Sequence, residues 1–104
     1  MSEIATNIAV KLIQRESVTP DDGGCQNYIK TLLAPLGFVR TAVDAGGVTN
    51  SIYTRQGELK GTLAFAGHTD VVPTGPVEKW EHAPFSAEIV DGILHGRGAQ
   101  DMKG

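Results

Sequence analysis

The sequence predicts an α/β fold in which two amphipathic helices are followed by short strands and a β-hairpin. Apolar residues recur every three or four positions from Ile4 to Ile13, which is the spacing of one helix face. After Gly37, short apolar runs separated by glycine and polar turns replace that period. Asp91-Gly92 between two such runs is a strong hairpin signal. This order favours helices layered on a mixed sheet over a helical bundle.

The two predicted helices lie in the first third of the chain. Ser2 is a suitable N-cap for the first helix, and a turn-rich loop from Glu16 to Gly24 precedes the second. Pro35 should disturb the last turn of the second helix, and Gly37 should end it. Its predicted buried side comprises Cys25, Tyr28, Ile29, Leu32, Leu33 and Leu36.

The predicted strands follow. Residues 38–43 and 50–55 are strand candidates, and Asp91-Gly92 should join two short strands on either side of it. The run Thr62–Ala66 is apolar and lies between Gly61 and Gly67. We therefore expect it to form a strand that is buried on both faces.

Composition excludes several classes of function. A net charge of −3 over 104 residues provides no basic patch for nucleic acid. No apolar run approaches the ~20 residues of a membrane helix, and the first residues do not resemble a signal peptide. A single cysteine, Cys25, excludes an intrachain disulfide, and we place it in the core. These features predict a cytoplasmic protein with no nucleic-acid or membrane partner.

The first candidate motif is Gly67-His68-Thr69-Asp70. His68 and Asp70 are two positions apart, so along an extended backbone both side chains point to the same side. A neutral imidazole is a good zinc ligand, and a carboxylate on its other nitrogen fixes the tautomer. His68 is thus a candidate ligand and Asp70 its orienting partner. The alternative is a hydrogen-bonded polar pair at a strand end.

The second candidate motif runs from Gly96 to Gly104 and contains Asp101. The glycines at positions 96 and 98 permit a tight turn that presents Asp101 after the hairpin. A carboxylate in such a position can bridge two divalent ions. Alternatively, Asp101 caps a helix that begins beyond it, but the presence of His68 favours the ligand.

Other polar and aromatic residues near these motifs are interpreted more simply. We expect His82 to be solvated and His95 to be an ordinary strand residue. Arg97 should pair with a carboxylate, with anion binding as the alternative. Trp80 and Phe85 are interpreted as packing anchors.

Together the motifs resemble the aminoacylase/carboxypeptidase family of zinc metallohydrolases. The matching residues are Gly67–Gly75, Trp80, Pro84-Phe85 and Gly96–Gly104. The stretch Ser17–Gln26 favours a branch of the family that acts on N-succinylated amino acids. The resemblance spans nearly all of the chain but only the opening portion of a family member. It therefore implies that residues 1–104 are an incomplete N-terminal portion of the catalytic domain, without the lid and dimerisation domain.

The resemblance also assigns roles to residues. It makes His68 a terminal ligand of one zinc, Asp70 the catalytic carboxylate that orients His68, and Asp101 the bridging ligand. It implies two zinc ions per full-length site, with cobalt as the alternative metal, and a cis peptide bond between Asp101 and Met102. The general-base glutamate and the remaining ligands of the family lie beyond residue 104, so they have no counterpart in this chain.

The activity that the resemblance implies is hydrolysis of the amide bond of a small N-acylated amino acid. We expect the 104-residue chain alone to be inactive and the full-length protein to form a homodimer through the lid domain. Two alternatives are another acyl-amino-acid hydrolase or carboxypeptidase of the same family, and a small non-catalytic binding module.

Overall fold

Residues 2–104 fold into two α-helices and two small antiparallel strand pairs. A computed structural model describes residues 2–104. The elements are α1 (Glu3–Ile13), α2 (Cys25–Leu33), β1 (Val39–Ala42), β2 (Ser51–Thr54), β3 (Ile89–Val90) and β4 (Ile93–Leu94). Strand β1 pairs with β2, and β3 pairs with β4. The mixed α/β class predicted from the sequence is confirmed.

Helix α1 begins as the sequence predicts. The Ser2 hydroxyl accepts a hydrogen bond from the backbone N–H of Ala5 at 3.1 Å, which satisfies one of the free donors of the first turn. The apolar face is buried only towards the end of the helix, where Leu12 and Ile13 lie in the core. Ile4, at the other end, is 74% exposed. The core therefore sits at the C-terminal end of α1, beside the loop that follows it.

Helix α2 is buried less than its apolar face predicts. Cys25 is fully buried, as predicted, and is the only residue of α2 in the core. The helix passes into a short 3₁₀ turn, Ala34–Leu36, and Gly37 ends it with a positive φ of 90°. Leu36 was predicted on the buried side but is 58% exposed. The prediction was wrong there because periodicity marks an apolar face and does not determine what covers it.

The strand pairs are short versions of the predicted ones. Val39 lies opposite Thr54 and Ala42 opposite Ser51 in the first pair. The second pair is the predicted hairpin, and its turn residues Asp91 and Gly92 have φ values of 51° and 77°. Positive φ at both central residues is the geometry of the tight turn that suits the twist of a hairpin.

The prediction of a buried strand over Thr62–Ala66 was wrong. Over residues 2–104 this run is paired with no other segment. Leu63 is 83% exposed and Phe65 is 92% exposed. An apolar run indicates a preference for burial, but a strand also needs a neighbour to satisfy its backbone groups.

A parallel pairing immediately after that run positions the candidate site. Val71 donates its N–H to the Ser17 carbonyl at 2.9 Å, and Thr19 donates its N–H to the Val71 carbonyl at 3.0 Å. The buried Ser17 hydroxyl donates to the carbonyl of Thr69 at 2.6 Å. These bonds fix the segment that carries His68 beside the loop after α1.

Lys103 ties the second motif to the same end of α1. Its side chain is buried, and Nζ donates to the carbonyls of Leu12 and Arg15, each at 2.8 Å. Its backbone N–H donates to the carbonyl of Gly98 at 2.8 Å and closes the loop that contains Asp101. A cation is favoured at the carbonyl end of a helix. Both candidate motifs are therefore anchored on one small core.

None of the helices in residues 2–104 has the length and apolar character needed to cross a membrane.

Candidate metal centre

The two motifs meet where Gly67 packs on Met102. The backbone N–H of His68 points at the Met102 sulfur, 3.4 Å away. A Cβ at Gly67 would lie 3.1 Å from the Met102 methyl carbon, which is closer than most such contacts. Glycine at position 67 therefore allows the close approach that brings His68 to the loop of Asp101.

The loop of Asp101 requires glycine at position 98. Gly98 has φ +83°, and a Cβ there would lie 2.5 Å from a methyl group of Val71. The Asp101–Met102 peptide bond is cis, as the family resemblance implies. The Asp101 side chain is 85% exposed at the tip of this loop. It is thus presented to the cleft by a turn that the surrounding residues restrict.

His68 lies between two carboxylates. Its Nε2 is 3.1 Å from Oδ1 of Asp101. Its Nδ1 is 3.2 Å from Oδ1 of Asp70 and 3.1 Å from the Asp70 backbone carbonyl. The structure brings together the three residues that the sequence predicts, and it aims Nε2 at Asp101 while Asp70 lies behind the ring. Their roles as ligands and orienting group stay a prediction.

The electrostatics of the cluster follow from these contacts. The pKa of His68 is raised from its ordinary value, first by the hydrogen bond to the Asp70 carbonyl and further by the two carboxylates. The pKa of the Asp70 carboxyl is lowered, first by a hydrogen bond from the Thr19 hydroxyl and then by His68. Opposite charge nearby and hydrogen bonding to the charged form both act in these directions.

Thr19 is the residue of this cluster that sequence reasoning missed. Its hydroxyl donates to Oδ2 of Asp70. Thr19 entered the sequence analysis only as a member of the stretch Ser17–Gln26. Its contact with Asp70 depends on the parallel pairing of segments about fifty positions apart, and no local pattern predicts such a pairing.

The atoms available for a metal are His68 Nε2 and Asp101 Oδ1. Imidazole nitrogen and carboxylate oxygen bind zinc at about 2.0–2.2 Å, so two such ligands of a tetrahedral ion lie about 3.3 Å apart. The observed separation of 3.1 Å fits this pair. In residues 2–104 no group of three or more His, Cys, Asp or Glu side chains is arranged to hold a metal ion. The two atoms therefore do not make up a metal site by themselves in the described residues.

A cleft of about 340 Å³ opens beside the cluster. It is lined by His68, Asp70, Val71, Val72 and the whole of residues 96–101. This volume lies within the range of about 300–1,000 Å³ for small-molecule sites. The cleft therefore has room for a small substrate next to the atoms that would hold a metal.

Arg97 lines the cleft and lies over the ring of Trp80. The Arg97 guanidinium lies 5.0 Å from the centroid of a Trp80 ring, a cation–π distance. Trp80 Nε1 donates to the Thr74 carbonyl at 2.9 Å. The predicted ion pair of Arg97 is not found in the part of the chain that the structure describes, where its buried Nε has no partner. Arg97 therefore contacts the ring of Trp80 and not the predicted carboxylate. The spacing of the two residues in the sequence does not reveal this contact.

The prediction that His82 is solvated was also wrong. Its Nδ1 lies 3.3 Å from Oε2 of Glu88, and its side chain is only 22% exposed. Its ring centroid is 4.1 Å from that of His95. The hairpin brings Glu88 and His95 to the loop of His82, so a residue in a polar stretch acquires partners from elsewhere.

The region that carries the centre also matches a known family. The model of Peptidase family M20/M25/M40 matches residues 64–104, a range that contains His68, Asp70 and Asp101. This match covers the cleft and both motifs. It agrees with the class of metallohydrolase that the motifs indicate.

Curated relatives specify the resemblance further, and each is named succinyl-diaminopimelate desuccinylase. The relative from Hahella chejuensis is 57% identical over 97 residues, which are 93% of this chain and 25% of the relative. The relative from Hydrogenovibrio crunogenus is 56% identical over 104 residues, or 99% of this chain and 27% of the relative. The relative from Nitrosomonas europaea is 50% identical over 103 residues, again 99% and 27%.

The chain spans about a quarter of the length of the curated relatives it matches. Together with the family match, these relatives confirm the resemblance that the motifs indicate. They also suggest that the protein depends on a metal.

Proposed function

We propose that the chain is the N-terminal part of the catalytic domain of a metal-dependent amidohydrolase acting on linear amides. The proposed reaction converts N-succinyl-LL-2,6-diaminopimelate and water into succinate and LL-2,6-diaminopimelate, a step of diaminopimelate and lysine biosynthesis in the cytoplasm. The observation that carries the proposal is the convergence of His68 Nε2 and Asp101 Oδ1 at 3.1 Å beside a cleft. The names of the relatives support the choice of substrate.

His68 and Asp101 would hold the metal, which we propose to be a pair of zinc ions with cobalt as the alternative. When bound, two such ions polarise the amide carbonyl and lower the pKa of a bound water. Asp101 would supply its carboxylate to hold the ions. His68 must be neutral to bind, because Nε2 then carries the free electron pair.

Asp70 would act through His68. Its Oδ1 lies 3.2 Å from Nδ1, so it would accept a hydrogen bond from Nδ1–H and leave Nε2 unprotonated as the ligand atom. It also stabilises the positive charge that the ring acquires on binding a cation. The proton transfers of amide hydrolysis need a general base, which we propose lies outside this segment. The whole protein is proposed to be a homodimer through a lid domain, also outside this segment.

The test uses the protein at the length of its relatives. Purified protein with zinc is incubated with N-succinyl-LL-2,6-diaminopimelate, and release of the free amine is followed. N-Acetyl amino acids and dipeptides with a free carboxyl end test the other acyl-amino-acid hydrolases and the carboxypeptidases of the family. Preference for either of these over the succinylated substrate would replace the proposed substrate. Absence of hydrolysis with all three, despite bound zinc, would favour a non-catalytic binding module.

A further inference from the structure

A chain of polar contacts links Thr19 to Asp70 and Asp70 to His68. The Thr19 hydroxyl donates to Oδ2 of Asp70, while the other oxygen of that carboxylate lies 3.2 Å from Nδ1 of His68. On the far side of the ring, Nε2 faces Asp101 at 3.1 Å. The two oxygens of Asp70 therefore have different partners.

The backbone fixes the Thr19 hydroxyl at this place. The N–H of Thr19 donates to the Val71 carbonyl at 3.0 Å, as part of the parallel pairing with the segment that carries Asp70. The hydroxyl has that same carbonyl as a second acceptor at 3.3 Å. A hydroxyl carries one proton, and a hydrogen bond to an ionised acceptor is the stronger one. The Thr19 hydroxyl therefore donates its hydrogen bond to the Asp70 carboxylate.

Asp70 needs such a constraint. Its side chain is 47% exposed, and the terminal torsion of an aspartate has a broad energy minimum. Its own backbone carbonyl also competes for Nδ1 of His68 at 3.1 Å. Water can replace the hydrogen bond of an exposed hydroxyl but not its fixed direction. A carboxylate free to rotate would leave the ring oriented by the carbonyl alone.

We propose that Thr19 is a positioning residue for the hydrolysis of the N-acyl amide, because its hydroxyl fixes the Asp70 carboxylate so that Oδ1 meets Nδ1 of His68. The inference rests on the proposed function for its effect on turnover. Thr19 does not touch the atoms that would hold a metal. It acts two contacts away, on the orientation and tautomer of the ring.

The experiment compares Thr19→Val with Thr19→Ser in the protein at the length of its relatives, loaded with zinc. Valine keeps the shape of threonine without its hydroxyl, and serine keeps the hydroxyl. We expect Thr19→Val to lower kcat about tenfold, the lower end for a group that orients a metal ligand. KM and zinc content should stay within about twofold, and Thr19→Ser should restore most of kcat.

Two further comparisons separate positioning from a structural role. In an Asp70→Asn background, Thr19→Val should lower kcat by less than about twofold, because contacting residues in one chain of hydrogen bonds are not additive. Ser17→Ala removes the hydrogen bond to Thr69 from the same parallel pairing without touching Asp70. It should lower Tm, and it should lower kcat by less than Thr19→Val does.

A spectroscopic readout tests the proposal without any substrate. The proton on Nδ1 of His68 should give a resolved downfield signal in the zinc-loaded wild type and in Thr19→Ser, and a broadened one in Thr19→Val. If the wild type fails to hydrolyse the succinylated substrate, the proposed function falls, and this signal still decides the role of Thr19. An unchanged signal in Thr19→Val, or additive losses of kcat with Asp70→Asn, would overturn the inference. Equal losses of kcat in Ser17→Ala and Thr19→Val would overturn it as well.

Discussion

Both ring nitrogens of His68 face oxygen atoms, and this determines how the residue titrates. Carbonyl and carboxylate oxygens only accept hydrogen bonds, so the doubly protonated ring satisfies them best. The pKa of His68 is accordingly raised above the ordinary 6.5, first by the Asp70 carbonyl. A raised folded-state pKa means that the protonated ring stabilises the metal-free fold fully below the unfolded value. That stabilisation is lost as pH rises through the folded value.

We therefore predict that His68 in the metal-free chain titrates at a higher pH than His68 in the urea-unfolded chain. An NMR titration of the ring protons measures both midpoints. Asp101→Asn should lower the folded midpoint by a minor part of the shift, since the Asp70 carbonyl is the largest cause. Zinc affinity should rise with pH across the same window, because the ligand must lose its proton. A folded midpoint at or below the unfolded one would contradict this account.

Asp70 and Asp101 should respond differently to substitution in the protein at the length of its relatives. Asp101→Ala removes a proposed ligand, so bound zinc and turnover should be lost together. Asp70→Asn keeps the shape of a group behind the ligand, so most of the metal should remain while turnover falls about 10–100-fold. Zinc content measured beside turnover distinguishes the two. Full zinc occupancy in Asp101→Ala, or normal turnover in Asp70→Asn, would reverse the assignment.

At the residue scale, sequence patterns identify functional groups that lie within one short motif. His68 and Asp70 are two positions apart, and glycines at positions 96 and 98 permit the turn that carries Asp101. The sequence therefore predicted that these three residues belong to one cluster. Thr19 and the true partner of Arg97 were not found. Their contacts are made between segments that only the folded backbone brings together.

Among the elements, α1 depends on a distant residue at its C-terminal end. The Lys103 ammonium is buried against the Leu12 and Arg15 carbonyls, and burial is the largest cause that lowers the pKa of Lys103. We predict that Lys103→Met lowers the free energy of unfolding by about 1–3 kcal/mol, because carbonyls at the helix end lose their donor.

Chemical denaturation of the chain measures this change. The control is Lys60→Met at an exposed position, which should stay within about 0.5 kcal/mol of wild type. Equal stability of Lys103→Met and wild type would show that water serves these carbonyls as well as the ammonium does.

The run Thr62–Ala66 carries the second prediction at this scale. It was predicted as a buried strand, and its composition is indeed that of one, but pairing and burial are properties of neighbours. Leu63 and Phe65 are exposed, and the run has no strand partner in the described structure. Such a segment is a template for association with another chain.

We expect the chain to self-associate as its concentration rises and Phe65→Lys to reduce this, as measured by sedimentation velocity. Ile4→Lys is the matched control, because Ile4 is also exposed but lies on a helix whose backbone is paired. A monomeric wild type, or an equal effect of both substitutions, would contradict the role of the run Thr62–Ala66.

At the scale of the whole molecule, the chain is more extended than its length predicts. Its radius of gyration is 15.3 Å, whereas a compact domain of this size has about 13 Å. The buried apolar residues are few and gather near the end of α1. The hydrophobic periodicity of the sequence predicted the α/β class. The predicted packing of helices on one sheet is not seen in residues 2–104, because the two strand pairs form separate sheets.

The number of candidate metal ligands in the 104-residue chain determines what it can catalyse. Catalytic zinc is normally held by three protein ligands and a water, and the described residues bring two candidate ligand atoms together. We predict that the chain alone does not measurably hydrolyse N-succinyl-LL-2,6-diaminopimelate at any zinc concentration. Amine release is measured beside the protein at the length of its relatives, which should be active. Turnover by the 104-residue chain that requires zinc and disappears in His68→Ala would show that these two ligands suffice.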